Sequence, residues 1–61
     1  NTDELAQIVN EVLAANPAKV EEYKAGKKSL VGMFMGEIMK KTKGKADPKV
    51  ANQLLQAGLN A

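Results

Sequence analysis

Residues 29–42 read SLVGMFMGEIMKKT, the only stretch of the chain that is apolar on most sides of a helix. Leu30, Val31, Met33, Phe34, Met35, Ile38 and Met39 surround much of its circumference. A helix of that kind is central to its domain or contacts a partner. On its C-terminal side, Lys43-Gly44-Lys45-Ala46 reads as a loop. Asp47-Pro48 then gives a capping residue followed by proline at the first helical position. Val50, Ala51, Leu54, Leu55 and Leu59 line a last helix, with Gly58 expected to close it. On the N-terminal side, Thr2 is a candidate cap, with Asp3 and Glu4 favourable in the opening turn. Leu5, Ile8, Val9, Val12 and Leu13 follow as one apolar stripe. Asn16-Pro17 repeats the cap-plus-proline signal before a short helix that turns Val20 and Tyr23 inward and stops at Gly26. No alternating strand pattern occurs. The expected fold is all-α, a small compact bundle of about four helices, two of them short, forming a single domain over 1–61.

Size and composition narrow the function. A chain of 61 residues buries only about 60% of the surface its unfolded form exposes. A deep substrate cleft needs walls from more elements than that supplies. The chain has no cysteine and no histidine. Disulfides, thiolate nucleophiles, the usual zinc sites and histidine acid–base chemistry are therefore excluded. Absence of cysteine fits a cytoplasmic protein. No apolar run reaches the roughly 20 residues of a membrane span. The start, Asn1-Thr2-Asp3-Glu4, carries neither an initiator Met nor a signal sequence, so the chain is expected to be a piece of a longer one.

Charge is uneven along the chain. Residues 1–26 hold Asp3, Glu4, Glu11, Glu21 and Glu22 against Lys19 and Lys24, a net of −3. Residues 27–61 hold seven lysines against Glu37 and Asp47, a net of +5. A basic half suits a polyanion. All nine basic residues are lysine, a point charge suited to phosphate rather than to bidentate reading of bases. Lys40, Lys41, Lys43, Lys45 and Lys49 cluster across a helix end, a loop and the next helix start. Lys45 and Lys49 fall near a helix N-terminus, which favours anions. A solvated basic surface is the plain alternative. Lys27 and Lys28, just before the third helix, oppose its dipole and are explained equally by phosphate or by chance.

Gly32 and Gly36 share a face with Ser29 inside the third helix. Mid-helix glycines cost roughly 1 kcal/mol each against alanine. They are expected to serve close helix–helix packing, with a flat surface for an RNA backbone or a partner as the alternative. The methionines read as core filler or as an adaptable contact surface. Asp3-Glu4 and Glu21-Glu22 are adjacent pairs, and neighbours on a helix do not share a face, so neither makes a catalytic dyad or a metal site. Tyr23 and Phe34 are too few for a base-stacking platform.

The ordered set Val12-Leu13-Ala14-Ala15-Asn16-Pro17, Val20, Tyr23, Gly26-Lys27, Gly32, Gly36, Met39-Lys40, Thr42-Lys43-Gly44-Lys45-Ala46, Pro48, Asn52 and Leu54-Leu55 resembles the GatB/YqeY tail domain. The likeness runs from about Leu5 to Leu59 and is nearest to the C-terminal tail of the GatB subunit of aspartyl/glutamyl-tRNA amidotransferases. The resemblance implies a parent ligase built with GatA and GatC. That enzyme converts Glu-tRNA(Gln) or Asp-tRNA(Asn) to the amide. It uses ATP and Mg to phosphorylate the side-chain carboxylate, and ammonia then displaces the phosphate. The resemblance places that chemistry outside this chain, which carries no catalytic residue, metal or cofactor of its own. It implies that the tail holds the tRNA body by phosphate and shape. The residues expected to touch tRNA are Lys27, Lys40, Lys43, Gly44 and Lys45, with Lys28, Lys41 and Lys49 beside them. Gly32 and Gly36 are the expected helix-packing positions. Glu37 departs from the family pattern, where glutamine is common, and the methionines replace bulkier or branched residues. A protein-docking module inside the enzyme, or a stand-alone YqeY-like protein, is the alternative. No membrane partner is expected, and the isolated domain is expected to be monomeric.

Overall fold

In the computed structural model, residues 2–60 are described and form four helices: α1 (Thr2–Ala15), α2 (Pro17–Lys24), α3 (Leu30–Lys41) and α4 (Pro48–Leu59). The capping role expected of Thr2 rests on a side chain outside the described residues. Among the described residues there is no strand. The bundle matches the all-α expectation, with helix lengths of 14, 8, 12 and 12 residues.

The core forms because apolar stripes on α1, α3 and α4 cover one another, with Tyr23 of α2 joining them. Val9 and Val12 of α1, Leu30, Phe34 and Ile38 of α3, and Ala51, Leu55 and Leu59 of α4 are buried. Spacings of three and four residues put each set on one face of its helix. α1 packs most extensively on α4, α3 lies against both, and α2 closes one end by touching the other three. Tyr23 carries α2 into the core and donates its hydroxyl to Gln56 Oε1 of α4 at 3.1 Å. That bond satisfies the one polar atom a buried tyrosine brings.

The two proline-led helix starts differ in how they are capped. Asp47 Oδ1 accepts from the backbone N–H of Lys49 at 2.9 Å, as a capping residue should. Asn16 does not cap α2. Its Nδ2 reaches back and donates to the Val12 carbonyl at 2.8 Å, which closes the end of α1 instead. Gly26 stops α2 as expected. At φ 123° it lets Lys27 N–H reach the Glu22 carbonyl and its own N–H reach the Tyr23 carbonyl, the paired bonds of a Schellman turn.

The glycines are redistributed relative to expectation. Gly32 and Gly36 do not serve helix packing within the domain. They lie opposite Leu30, Phe34 and Ile38, are exposed, and a Cβ built on either meets nothing within 4 Å. Gly58 does not end α4, which continues through it to Leu59. It is instead the point where α4 comes close to α1, since a Cβ there falls 2.7 Å from Leu13 Cδ1.

Phe34→Ala is expected to cost about 3–5 kcal/mol, most of the stability of a domain this small. Gly58→Ala needs only a shift of the half-buried Leu13 tip and is expected to be near neutral. Gly58→Val overpacks the contact and is expected to cost about 1–3 kcal/mol. Urea unfolding followed by circular dichroism measures all three; a Gly58→Val variant as stable as the parent would show that α1 and α4 do not meet there.

Candidate nucleic-acid interface

The lysines of the basic half fall into three environments. Lys40 and Lys41 end α3, and Lys43 follows in the turn. All are exposed, and among the described residues none has an ion-pair partner. Cations in the last turn of a helix also complement its negative end. Lys45 and Lys49 are equally exposed but stand beside acid. Lys45 shares the rim of an open groove of about 440 Å³ with Glu4 and Asp47, and the Asp47 carboxylate sits on the backbone of Lys49. Lys27 and Lys28 are engaged within the domain. Lys27 Nζ lies 3.7 Å from Glu22 Oε1, and Lys28 Nζ lies 4.4 Å from the centroid of the Tyr23 ring. With side chains 58% and 42% exposed, the Lys27–Glu22 pair is a weak surface contact that a phosphate can displace.

The turn that holds Lys43 repeats the geometry of the turn after α2. Gly44 N–H donates to the Met39 carbonyl at 2.8 Å and Lys43 N–H to the Lys40 carbonyl at 3.3 Å. Both turns are Schellman motifs, and each needs positive φ at the first residue beyond the cap. After α2 that residue is Gly26, whereas after α3 it is Lys43, at φ 56°. A residue with a Cβ loses about 1–2 kcal/mol in that region. Gly44 follows at φ 76° without that penalty.

At both helix starts beside the lysines, backbone donors are engaged within the chain. The first N–H groups of α3 bond back to carbonyls of the turn before it, Leu30 to Lys27, Val31 to Lys28 and Gly32 to Ser29. The start of α4 already holds the Asp47 carboxylate. The anion preference expected near Lys45 and Lys49 is therefore taken up locally.

Sequence reasoning finds the free lysines but misses the partners Glu22 and Tyr23. The Lys19–Glu22 pair, at 3.6 Å, follows helical spacing, whereas Lys27 reaches Glu22 only across the turn at Gly26. It misses the groove as well, because Leu5 and Ile8 meet Thr42, Ala46 and Val50 from far along the chain. Among the described residues no group of three or more acidic, histidine or cysteine side chains converges to hold a metal. No glycine-rich phosphate loop is present either, so these residues do not fit ATP or Mg. Among the described residues no helix is long and apolar enough to cross a membrane.

A family model described as the GatB domain (GatB_Yqey) matches residues 1–59. Among curated proteins, the GatB subunit of the aspartyl/glutamyl-tRNA(Asn/Gln) amidotransferase of Gloeothece citriformis is 51% identical over 61 residues, covering 100% of this chain and 12% of that protein. The corresponding subunit from a Picosynechococcus species is 58% identical over 55 residues, 90% of this chain and 11% of its own length. That of Syntrophotalea carbinolica is 51% identical over 59 residues, 97% and 12%. The chain thus spans about one eighth of the length of these relatives. No solved structure gives a significant match.

Lys43→Gly is expected to leave stability unchanged or raise it by up to about 1 kcal/mol, because the turn geometry favours glycine. Asp47→Ala is expected to lose about 0.5–2 kcal/mol with its cap. Thermal or urea denaturation separates the two, and a Lys43→Gly variant destabilised by more than about 1 kcal/mol would contradict the left-handed turn.

Proposed function

The chain belongs to the GatB domain family, and on that premise we propose that it is the tRNA-holding tail of the GatB subunit of a glutamine-dependent aspartyl/glutamyl-tRNA amidotransferase. In this reading the ATP-dependent activation of glutamate or aspartate on tRNA, and the ammonia supplied through GatA, belong to other parts of a GatA–GatB–GatC enzyme. This domain contributes affinity and position. One observation supports the reading: Lys40, Lys41 and Lys43 are exposed at and just beyond the end of α3, and among the described residues none of them is in an ion pair.

The mode of contact follows from the residue type. Lysine attracts phosphate without reading bases, and the single exposed helix end presents a small cluster rather than a groove-filling element. Folded RNA is recognised mainly through backbone and shape, which such a cluster suits. A protein-docking module would instead present a contiguous apolar patch. No large hydrophobic side chain is exposed among the described residues, which favours the RNA reading over that alternative.

Binding of the 61-residue chain to bulk bacterial tRNA is expected to weaken with salt, with log K against log[salt] falling at roughly −3 to −4 for about four phosphates neutralised. Lys40→Ala and Lys43→Ala should each reduce that slope by about one. Fluorescence anisotropy at several salt concentrations gives the slope; an absence of binding at low salt, where even non-specific attraction registers, would sink the reading.

A further inference from the structure

We infer that the open groove between α1 and the α3–α4 turn is the seat of the segment that leads into α1 in the longer subunit, and that an apolar side chain of that segment, just ahead of Asn1, packs there against Leu5. The inference rests on the tail reading above, in which the bulk of the subunit precedes α1. It adds how the domain is joined to the rest.

Leu5 and Ile8 of α1, Ala46 of the turn and Val50 of α4 line the groove, and all four are only half-buried. Its volume of about 440 Å³ falls within the roughly 300–1,000 Å³ that encloses a small organic molecule, so an apolar side chain and a little of its backbone have room. A polar ligand fits poorly, because polar groups at the edge are engaged already. The Thr42 hydroxyl donates to the Met39 carbonyl at 3.3 Å, and Asp47 Oδ1 accepts from the Lys49 N–H. What the groove offers is apolar surface still open to water, and covering it stabilises the covered state.

Its position names the occupant. Leu5 is the fourth residue of α1, counted from Thr2. Helix starts are often closed by an apolar residue two positions ahead of the first helical one, which packs against the fourth and fixes the angle at which the chain enters. For α1 that position falls immediately before Asn1. Leu5 thus supplies one half of the contact, and the other half belongs to the segment that leads in. The curated relatives are long enough to supply it, since this chain spans about one eighth of their length. Glu4 and Leu5 themselves form part of the groove wall, so chain arriving at α1 passes beside the groove and needs no detour to fill it.

Seating that segment also acts on the basic surface. Lys45 stands on the same rim, and Lys43 lies two residues before it in the turn. A docked segment stiffens the connection and holds that turn at a fixed distance from the rest of the subunit, which raises the effective concentration of its lysines there.

The test compares the 61-residue chain with the same chain extended by a short stretch of the residues that precede it in its own subunit. On extension the NMR methyl signals of Leu5, Ile8, Ala46 and Val50 should shift, and the melting temperature should rise by about 4–8 °C, the size of one further apolar contact in a domain this small. Ala46→Leu fills the groove with a side chain of the domain itself and should abolish both differences. A folded, extended chain whose groove methyls stay where they were overturns the inference. Shifts of those methyls that grow with concentration in the unextended chain also overturn it, because they put a second copy in the groove. Both readouts are made without RNA. An empty groove therefore leaves the tRNA-holding reading intact, and failure to bind tRNA at low salt removes that reading while the methyl shifts still decide the docking.

Discussion

Burial of one side of α3 is the constraint on which the rest of the domain depends. Phe34 and Ile38 are fully enclosed, and the other three helices are arranged around them. Three neighbours are enough to cover one face of a central helix but not all of it. The opposite face is left to solvent by geometry, whatever its sequence. In a larger protein a further layer would cover it, and its residues would be chosen for packing. Here they are released from that demand, which makes their identity informative.

The stability of the domain makes them more so. At typical values per residue, 61 residues give roughly 3–9 kcal/mol in total. Two exposed glycines and one left-handed lysine forgo about 1 kcal/mol each relative to the residues the fold would prefer. That is a large share of a small margin, concentrated on one helix and the turn after it. Consistency between local preference and fold is the rule in stable domains, and departures from it gather where a surface serves something else.

Much of this is legible in the sequence, and the failures share a cause. Asn16-Pro17, Gly26 and Asp47-Pro48 mark the helix boundaries because proline and positive φ act locally. The stripes of α1 and α4 reveal the core because their polar faces are unambiguous. α3 lacks a polar face to contrast with its apolar one, so periodicity does not say which side is outward. Periodicity alone therefore turns Gly32 and Gly36 inward, and composition alone makes Gly58 a stop signal when it is a contact. A glycine in a sequence announces that something is close or that φ is unusual, but not which neighbour is close. Asn16 misleads differently: its amide can accept from the N–H groups ahead of it or donate to the carbonyls behind it, and here it donates to the Val12 carbonyl. Lys27 and Lys28 look free in the sequence because their partners lie across a turn.

The same closure of local bonds sets what kind of binder the domain can be. The starts of α3 and α4 engage backbone donors on the chain itself, which leaves the lysine side chains as the readily available groups for phosphate. What remains is flexible ammonium groups on a rigid helix end, and they lose side-chain entropy when they engage. Contacts of that kind are weak alone, tolerant of sequence and sensitive to salt. Joined to a second binding surface in a longer chain, they act at the effective concentration the connection imposes, and a modest affinity becomes a large gain in residence. On the proposed reading, a small basic surface of this kind would help hold a large RNA in place while other parts of the longer chain act on it.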